Sequence, residues 1–177
     1  MNQGEKGIER TGQSRDDVDE IVAGWEIQRP DFDARPLAVF SRMLRLQKYI
    51  ERMRRATFAA HGLETWEFEM LAQLRRASDH QLKAGQLMQE TLVSSGTITN
   101  RLDRMQEHGF VTRQMDPKDK RVVLVQATPK GISAVDDAMA ALLRVQRVLL
   151  EPFDDAQTAQ IVDFLRVMLS EFNDSAA

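Results

Sequence analysis

The stretch LKAGQLMQETLVSSGTITNRLDRMQEHGFVTRQMDPKDKRVVLVQATPKG, residues 82–131, decides how this chain folds. It holds two short amphipathic segments, the first from about Lys83 to Gln89, the second opening at Val93-Ser94-Ser95-Gly96 and closing at His108-Gly109. A serine hydroxyl accepts the unpaired N–H groups at a helix start, and glycine adopts the left-handed conformation that stops one. Behind the second segment, Phe110 to Met115 and Val122 to Ala127 have strand character, and Asp116-Pro-Lys-Asp-Lys120 between them is rich in turn formers. The order is helix, turn, helix, hairpin.

In the second helix Ile98, Leu102 and Met105 recur at helical spacing and are expected to pack inward. Ser94, Ser95, Thr97, Thr99, Asn100 and Arg104 are then left to meet a groove. Hydroxyls and an amide contact phosphates or base edges, while Arg104 suits either a bidentate guanine contact or a phosphate. The hairpin tip adds Lys118, Lys120 and Arg121. An arginine on a projecting wing can enter an A·T-rich minor groove, although a solvated charged turn is the plainer alternative. Taken in order, the elements match a winged helix-turn-helix, and these residues point to double-stranded DNA as the partner.

Outward from this stretch the chain is helical. Residues 1–14 lack apolar periodicity and are expected to be a disordered tail. From Arg15 to about Gln28, Val18, Ile21, Val22 and Trp25 fall on one helix face, and Arg29-Pro30 ends that helix. After a linker, Pro36 can occupy the first turn of a helix that runs to about Ala60, and His61-Gly62 separates it from a third helix carrying Trp66, Met70, Leu71 and Leu74. Thr128-Pro129 opens a long helix to about Leu150, and Pro152-Phe153-Asp154 breaks it before a last amphipathic helix through Leu169. The expected fold is mainly α with a small β-hairpin wing. Residues 15–62 form N-terminal helices, 63–127 the winged helix-turn-helix and 128–177 C-terminal helices.

The 177-residue chain is 42% hydrophobic, enough for one sizeable core, and its net charge of -3 argues against indiscriminate coating of nucleic acid. Yet Lys83 to Lys130 carries a local excess of three positive charges, which leaves the remainder acidic. With no cysteine there is no disulfide, thiolate metal site or thiol redox sensor. His61, His80 and His108 lack metal-ligand spacing, so neither a metal nor a cofactor is expected. No apolar run reaches membrane-spanning length and the N-terminus lacks a signal-peptide core, so a cytoplasmic protein with no membrane partner is expected. An enzyme using Glu67 or Glu69 as acid or base would lack a phosphate loop, a nucleophile elbow or a recognisable triad beside it. A helical interaction module is the other class considered, and it has no need of a basic wing.

Residues 82–131 resemble the MarR family of winged-helix regulators, in a helix like SSGTITNRLDRMQEHGFV and a wing signature like DPKDKR. The resemblance implies a homodimer, with the helices at both ends as its dimerisation region, acting on a pseudo-palindromic operator, and repression is the default expectation because a bound regulator competes with polymerase. The extra helix around Trp25 is similar to the urate-responsive, HucR- and PecS-like subgroup. Matched by motif, that subgroup's ligand residues fall on Trp25, Glu69, Arg101 and Arg113, with Glu69 standing where the subgroup has aspartate. The implied effector is a small anion such as urate, paired by guanidinium groups against an indole wall, with the carboxylate holding the arginines when the site is empty.

Overall fold

The computed structural model describes residues 15–91 and 95–173, and the expected N-terminal tail and Ser94, one of the two serines offered as a cap for the second helix, lie outside them. Seven α-helices, one short 3-10 helix at Ser78–His80 and three short strands follow one another among the described residues. These divide into two compact units, one ending at Met53 and the other beginning at Arg54, so the division falls inside the second helix.

The first unit contains α1, Asp17–Gln28, and most of α2, Arg35–Ala59. Asp16 starts α1: its carboxylate accepts from the N–H of Val18 at 2.9 Å, and Asp19 reaches back to the N–H of Asp16 at 2.9 Å. This reciprocal cap satisfies donors that a helix start leaves unpaired, and Asp17, Asp19 and Glu20 place negative charge at the positive end of the helix dipole. The same carboxylates fasten α1 to α2. Arg42 bridges Asp16 at 2.9 Å and Asp19 at 2.8 Å, and Arg45 holds Asp17 at 2.7 Å. The Arg42 guanidinium holds the Asp16 carboxyl below its ordinary value.

The second unit takes in the last residues of α2, from Arg54 to Ala59. Gly62, at φ 69°, takes the left-handed conformation, and the N–H of Leu63 bonds to the carbonyl of Phe58 at 3.0 Å. Phe58 stacks on Phe68 of α3, Thr65–Arg76, with ring centroids 3.9 Å apart. Around that stack lies the core: Met70, Leu71 and Leu74 of α3, Leu87 of α4 (Ala84–Thr91), Ile98, Leu102 and Met105 of α5 (Ser95–Glu107), and Val135, Ala138 and Leu142 of α6 (Pro129–Leu150). A last helix, α7, spans Asp155–Asn173.

The hairpin forms β2, Val111–Met115, and β3, Val123–Ala127, paired antiparallel with Val111 opposite Ala127 and Arg113 opposite Val125. Their inward positions Val111, Val125 and Ala127 are buried, as a period of two requires. A third strand, β1 (Gln81–Lys83), was not expected from the sequence, where Lys83 begins a helix. It pairs along the free edge of β3, with Leu82 opposite Val125, so the wing is rooted in a three-stranded sheet of order β1-β3-β2.

One junction ties α5, the sheet and α6 together. Gly109, at φ 71°, ends α5, and the N–H of Phe110 bonds back to the carbonyl of Met105 at 2.8 Å. Thr128 caps α6 by accepting from the N–H of Gly131 at 3.1 Å, while its hydroxyl donates to the carbonyl of Gly109 at 2.7 Å and its N–H donates to that of Phe110 at 2.9 Å. Gly131 comes so close that a Cβ there would lie 2.3 Å from the Phe110 oxygen. Gly131→Ala should therefore lower stability by about 1–3 kcal/mol through overpacking against backbone. An unchanged midpoint in urea denaturation would show that the junction can spread to accept a methyl group.

Candidate nucleic-acid interface

Helix α5 is aimed by its buried face. Ile98, Leu102 and Met105 are all nearly or fully buried, which leaves Thr99, Asn100 and Arg104 exposed and Thr97 half-buried. Ser94 and the side chain of Ser95 lie outside the described residues. Beyond α5, the loop between β2 and β3 is closed by the N–H of Asp116 on the Val122 carbonyl and the N–H of Val122 on the Asp119 carbonyl, each at 2.9 Å. It projects Lys118, Lys120 and Arg121, all exposed. Arg121 is held at the tip by Asp119, Nε to Oδ1 and a second nitrogen to Oδ2 both at 3.1 Å. That guanidinium keeps the Asp119 carboxyl below its ordinary value.

The carboxyl end of α5 is latched to α3 by a group that the sequence reading weighed only as an enzyme's acid or base. Glu67 is 1% exposed and is the one charged side chain buried among the described residues. Burial of a carboxylate demands partners. Its Oε1 lies 2.8 Å from Nδ1 of His108 and its Oε2 accepts the N–H of Glu64 at 2.9 Å, so it closes the first turn of α3 and anchors the residue that follows α5. Lys130 of α6 donates to the carbonyl of His108 at 2.6 Å. Both contacts join elements far apart in the sequence.

The four residues matched to a ligand site have separate partners. Trp25, in the first unit, is 46% exposed and stacks on Phe32 with centroids 6.1 Å apart. Glu69 pairs with Arg54 at 3.1 Å rather than holding Arg101, because its position on α3 turns it toward the end of α2 while Glu67 occupies the side toward α5. Arg113 pairs with Asp103 at 2.7 Å and donates from Nε to Gln106 at 2.8 Å. Arg101 lies over Trp66, 5.3 Å from the ring centroid. No contact among the described residues joins Glu69, Arg101 and Arg113 to one another. Nor does any group of His, Asp and Glu among the described residues form a cluster able to hold a metal, and no described helix is long and apolar enough to cross a membrane.

Two helices joined by a short connection, the second with a polar outer face, followed by a rooted hairpin with a cationic tip, define a winged helix-turn-helix protein. The MarR family model matches residues 61–122. The chain is 28% identical over 146 residues to the HTH-type transcriptional regulator PecS of Dickeya dadantii, covering 82% of this chain and 88% of that relative. It is 27% identical to the HTH-type transcriptional repressor YetL of Bacillus subtilis, over 76% of this chain and 81% of that one. Among solved structures, Sco3205, a MarR family transcriptional regulator from Streptomyces coelicolor in complex with DNA, superposes with a TM-score of 0.68 at 15% identity, covering 79% of this chain and 89% of that one. The chain belongs to the MarR family. It is a DNA-binding transcriptional regulator and not an enzyme.

Glu67→Ala leaves the His108 ring and the Glu64 N–H without their buried acceptor, and should destabilise the fold by about 1–3 kcal/mol. His108→Ala should cost less, because that ring is partly exposed. Chemical denaturation of both variants checks the order, and a loss for His108→Ala as large as that for Glu67→Ala would mean that the stranded Glu67 carboxylate depends on His108 for its burial.

Proposed function

We propose that the protein is a homodimeric repressor that binds a pseudo-palindromic operator through α5 and the wing, and that a small, urate-like anion releases it. The observation that carries DNA recognition is the pairing of the outer face of α5, with Thr99, Asn100 and Arg104 exposed, with a hairpin that presents Lys118, Lys120 and Arg121. A helix of this kind enters a major groove and a wing follows the backbone or the minor groove. Arg104 has no ion-pair partner among the described residues, so its donors are available to a base edge or a phosphate. Thr97, Ser94 and Ser95 belong to the same proposed surface. Repression follows the description of YetL, and DNA as the bound partner follows that of Sco3205.

Homodimerisation is supported by apolar surface that a monomer would leave in water. Leu44 and Tyr49 of α2, Val148 and Leu149 of α6, and Phe164 and Phe172 of α7 are all exposed. Soluble monomers rarely expose so much large apolar surface. A two-fold dimer would set two α5 helices about one DNA turn, roughly 34 Å, apart.

For the effector, Arg101 and Arg113 supply guanidiniums, Trp25 an indole and Glu69 a carboxylate, and the likeness to PecS supports this set. Engagement of an anion by Arg113 requires it to leave Asp103, and Arg101 would be drawn off Trp66. Because both changes touch α5, occupancy of the site would be felt by the helix proposed to read DNA.

Gel retardation on duplex DNA from upstream of the protein's own gene tests this reading. Arg104→Ala should weaken binding by about tenfold, equivalent to roughly 1.4 kcal/mol and within the range for loss of a base or phosphate contact. Lys120→Ala should reduce the slope of log K against log salt by about one. Failure of the wild type to retard any upstream fragment at moderate salt would sink the functional reading. In the same assay with urate added, Trp25→Phe and Arg113→Ala should blunt release, and full release from both would remove these residues from the effector site.

A further inference from the structure

Nine of the described arginines are held by carboxylates, Arg54, Arg75, Arg113 and Arg121 in the second unit among them. Arg101 and Arg104 are not. Both stand over one side chain, Trp66 of α3, with their Cζ atoms 5.3 and 5.1 Å from its ring centroid. The two arginines are three residues apart on α5 and so share a face. Their like charges would repel, and a common π surface, negative at its face, offsets that repulsion.

An indole holds a guanidinium differently from a carboxylate. A carboxylate occupies the N–H edge, which is the edge that a phosphate or a guanine would need. A ring face restrains the flexible side chain through its flat side and leaves the edge donors available. We infer that Trp66 is a positioning residue for DNA recognition: it seats Arg101 and Arg104 in an extended, donor-ready arrangement, so that less side-chain freedom is lost when α5 meets DNA. Trp66 itself touches no DNA in this scheme and acts through the two arginines. The inference rests on the reading that α5 faces DNA. Glu67, the next residue of α3, anchors the far end of α5 through His108, so adjacent positions of one helix turn fix the course of α5 and the direction of its arginines.

The test compares wild type, Trp66→Phe, Trp66→Leu, the double variant Arg101→Ala/Arg104→Ala, and that double variant carrying Trp66→Leu. Affinity for the upstream duplex is measured by fluorescence anisotropy on the full chain. An exposed cation–π contact corresponds to about two- to fivefold in an equilibrium constant, so loss of both predicts that Trp66→Leu binds about four- to twenty-fivefold more weakly, with Trp66→Phe recovering most of the loss. In the Arg101→Ala/Arg104→Ala background, Trp66→Leu should change the remaining affinity by less than about twofold, because the groups it positions are gone. An equal loss in both backgrounds would mean that Trp66 only supports the fold, and would overturn the inference.

A measurement on the unaltered tryptophan covers the case in which Trp66→Leu does not fold. The Nε1–H resonance of Trp66, identified by its disappearance in Trp66→Phe, should shift when Arg101 and Arg104 are both replaced by Ala. An unmoved resonance would overturn the seat. If the wild type binds no upstream fragment, the functional reading falls and this inference with it. If the wild type binds and Trp66→Leu binds equally well, only the role of Trp66 falls.

Discussion

The backbone reversal at Gly109-Phe110 is the constraint on which the DNA-facing surface depends. The carbonyls of these two residues take hydrogen bonds from Thr128, which at the same time caps α6, and Gly131 approaches the second carbonyl more closely than any residue with a Cβ could. The end of α5, the start of β2 and the start of α6 therefore share one small volume. None of them can rotate without disturbing the other two, since interiors packed to this density have few alternative arrangements. Helix α5 is thus held by a backbone knot at its carboxyl end and by Ile98, Leu102 and Met105 along its length.

Onto that frame the chain places its charges in two distinct ways. Nine of the described arginines are paired with a nearby carboxylate, and such exposed pairs contribute little to stability on their own. What they do is occupy donors. Arg113 is held against Asp103 and Gln106, so the positive charge of the first wing strand is turned inward along α5. Arg101 and Arg104 keep their donors, and Glu67, the buried carboxylate among the described residues, is committed to His108 and the Glu64 N–H. The charge excess between Lys83 and Lys130 is accordingly concentrated at fewer points than the count of basic residues suggests.

Much of this fold was legible in the sequence because it is carried by local signals. Gly62 and Gly109 adopt the left-handed conformation that their places after helical segments imply, Thr128-Pro129 starts α6, and the apolar spacing of α5 marks its buried side correctly. The strand Gln81-Leu82-Lys83 was not legible, since three residues are too few to establish an alternation, none is β-branched, and the segment becomes a strand only because β3 offers an edge. The same limit applies to side-chain partners. Spacing alone puts Glu67 and Glu69 on different sides of α3, but which one meets α5 depends on His108, 41 residues away, and on Arg54 drawing Glu69 the other way. The grip of Trp66 on Arg101 and Arg104 is likewise a property of α3 lying against α5, and no local pattern announces it.

The pairing of Asp119 with Arg121 at the hairpin tip has an effect on ionic behaviour. DNA and basic proteins in solution are normally screened by mobile salt ions, whose liberation on association supplies much of the driving force and all of its sensitivity to salt. Here a share of that screening is covalently attached: the tip carries its own counterion, tethered two residues from the cation it neutralises. A tethered ion is not diluted when bulk salt falls, and it gains little freedom when displaced. The wing thus behaves electrostatically as a weaker and less salt-sensitive cation than its three basic side chains would make it.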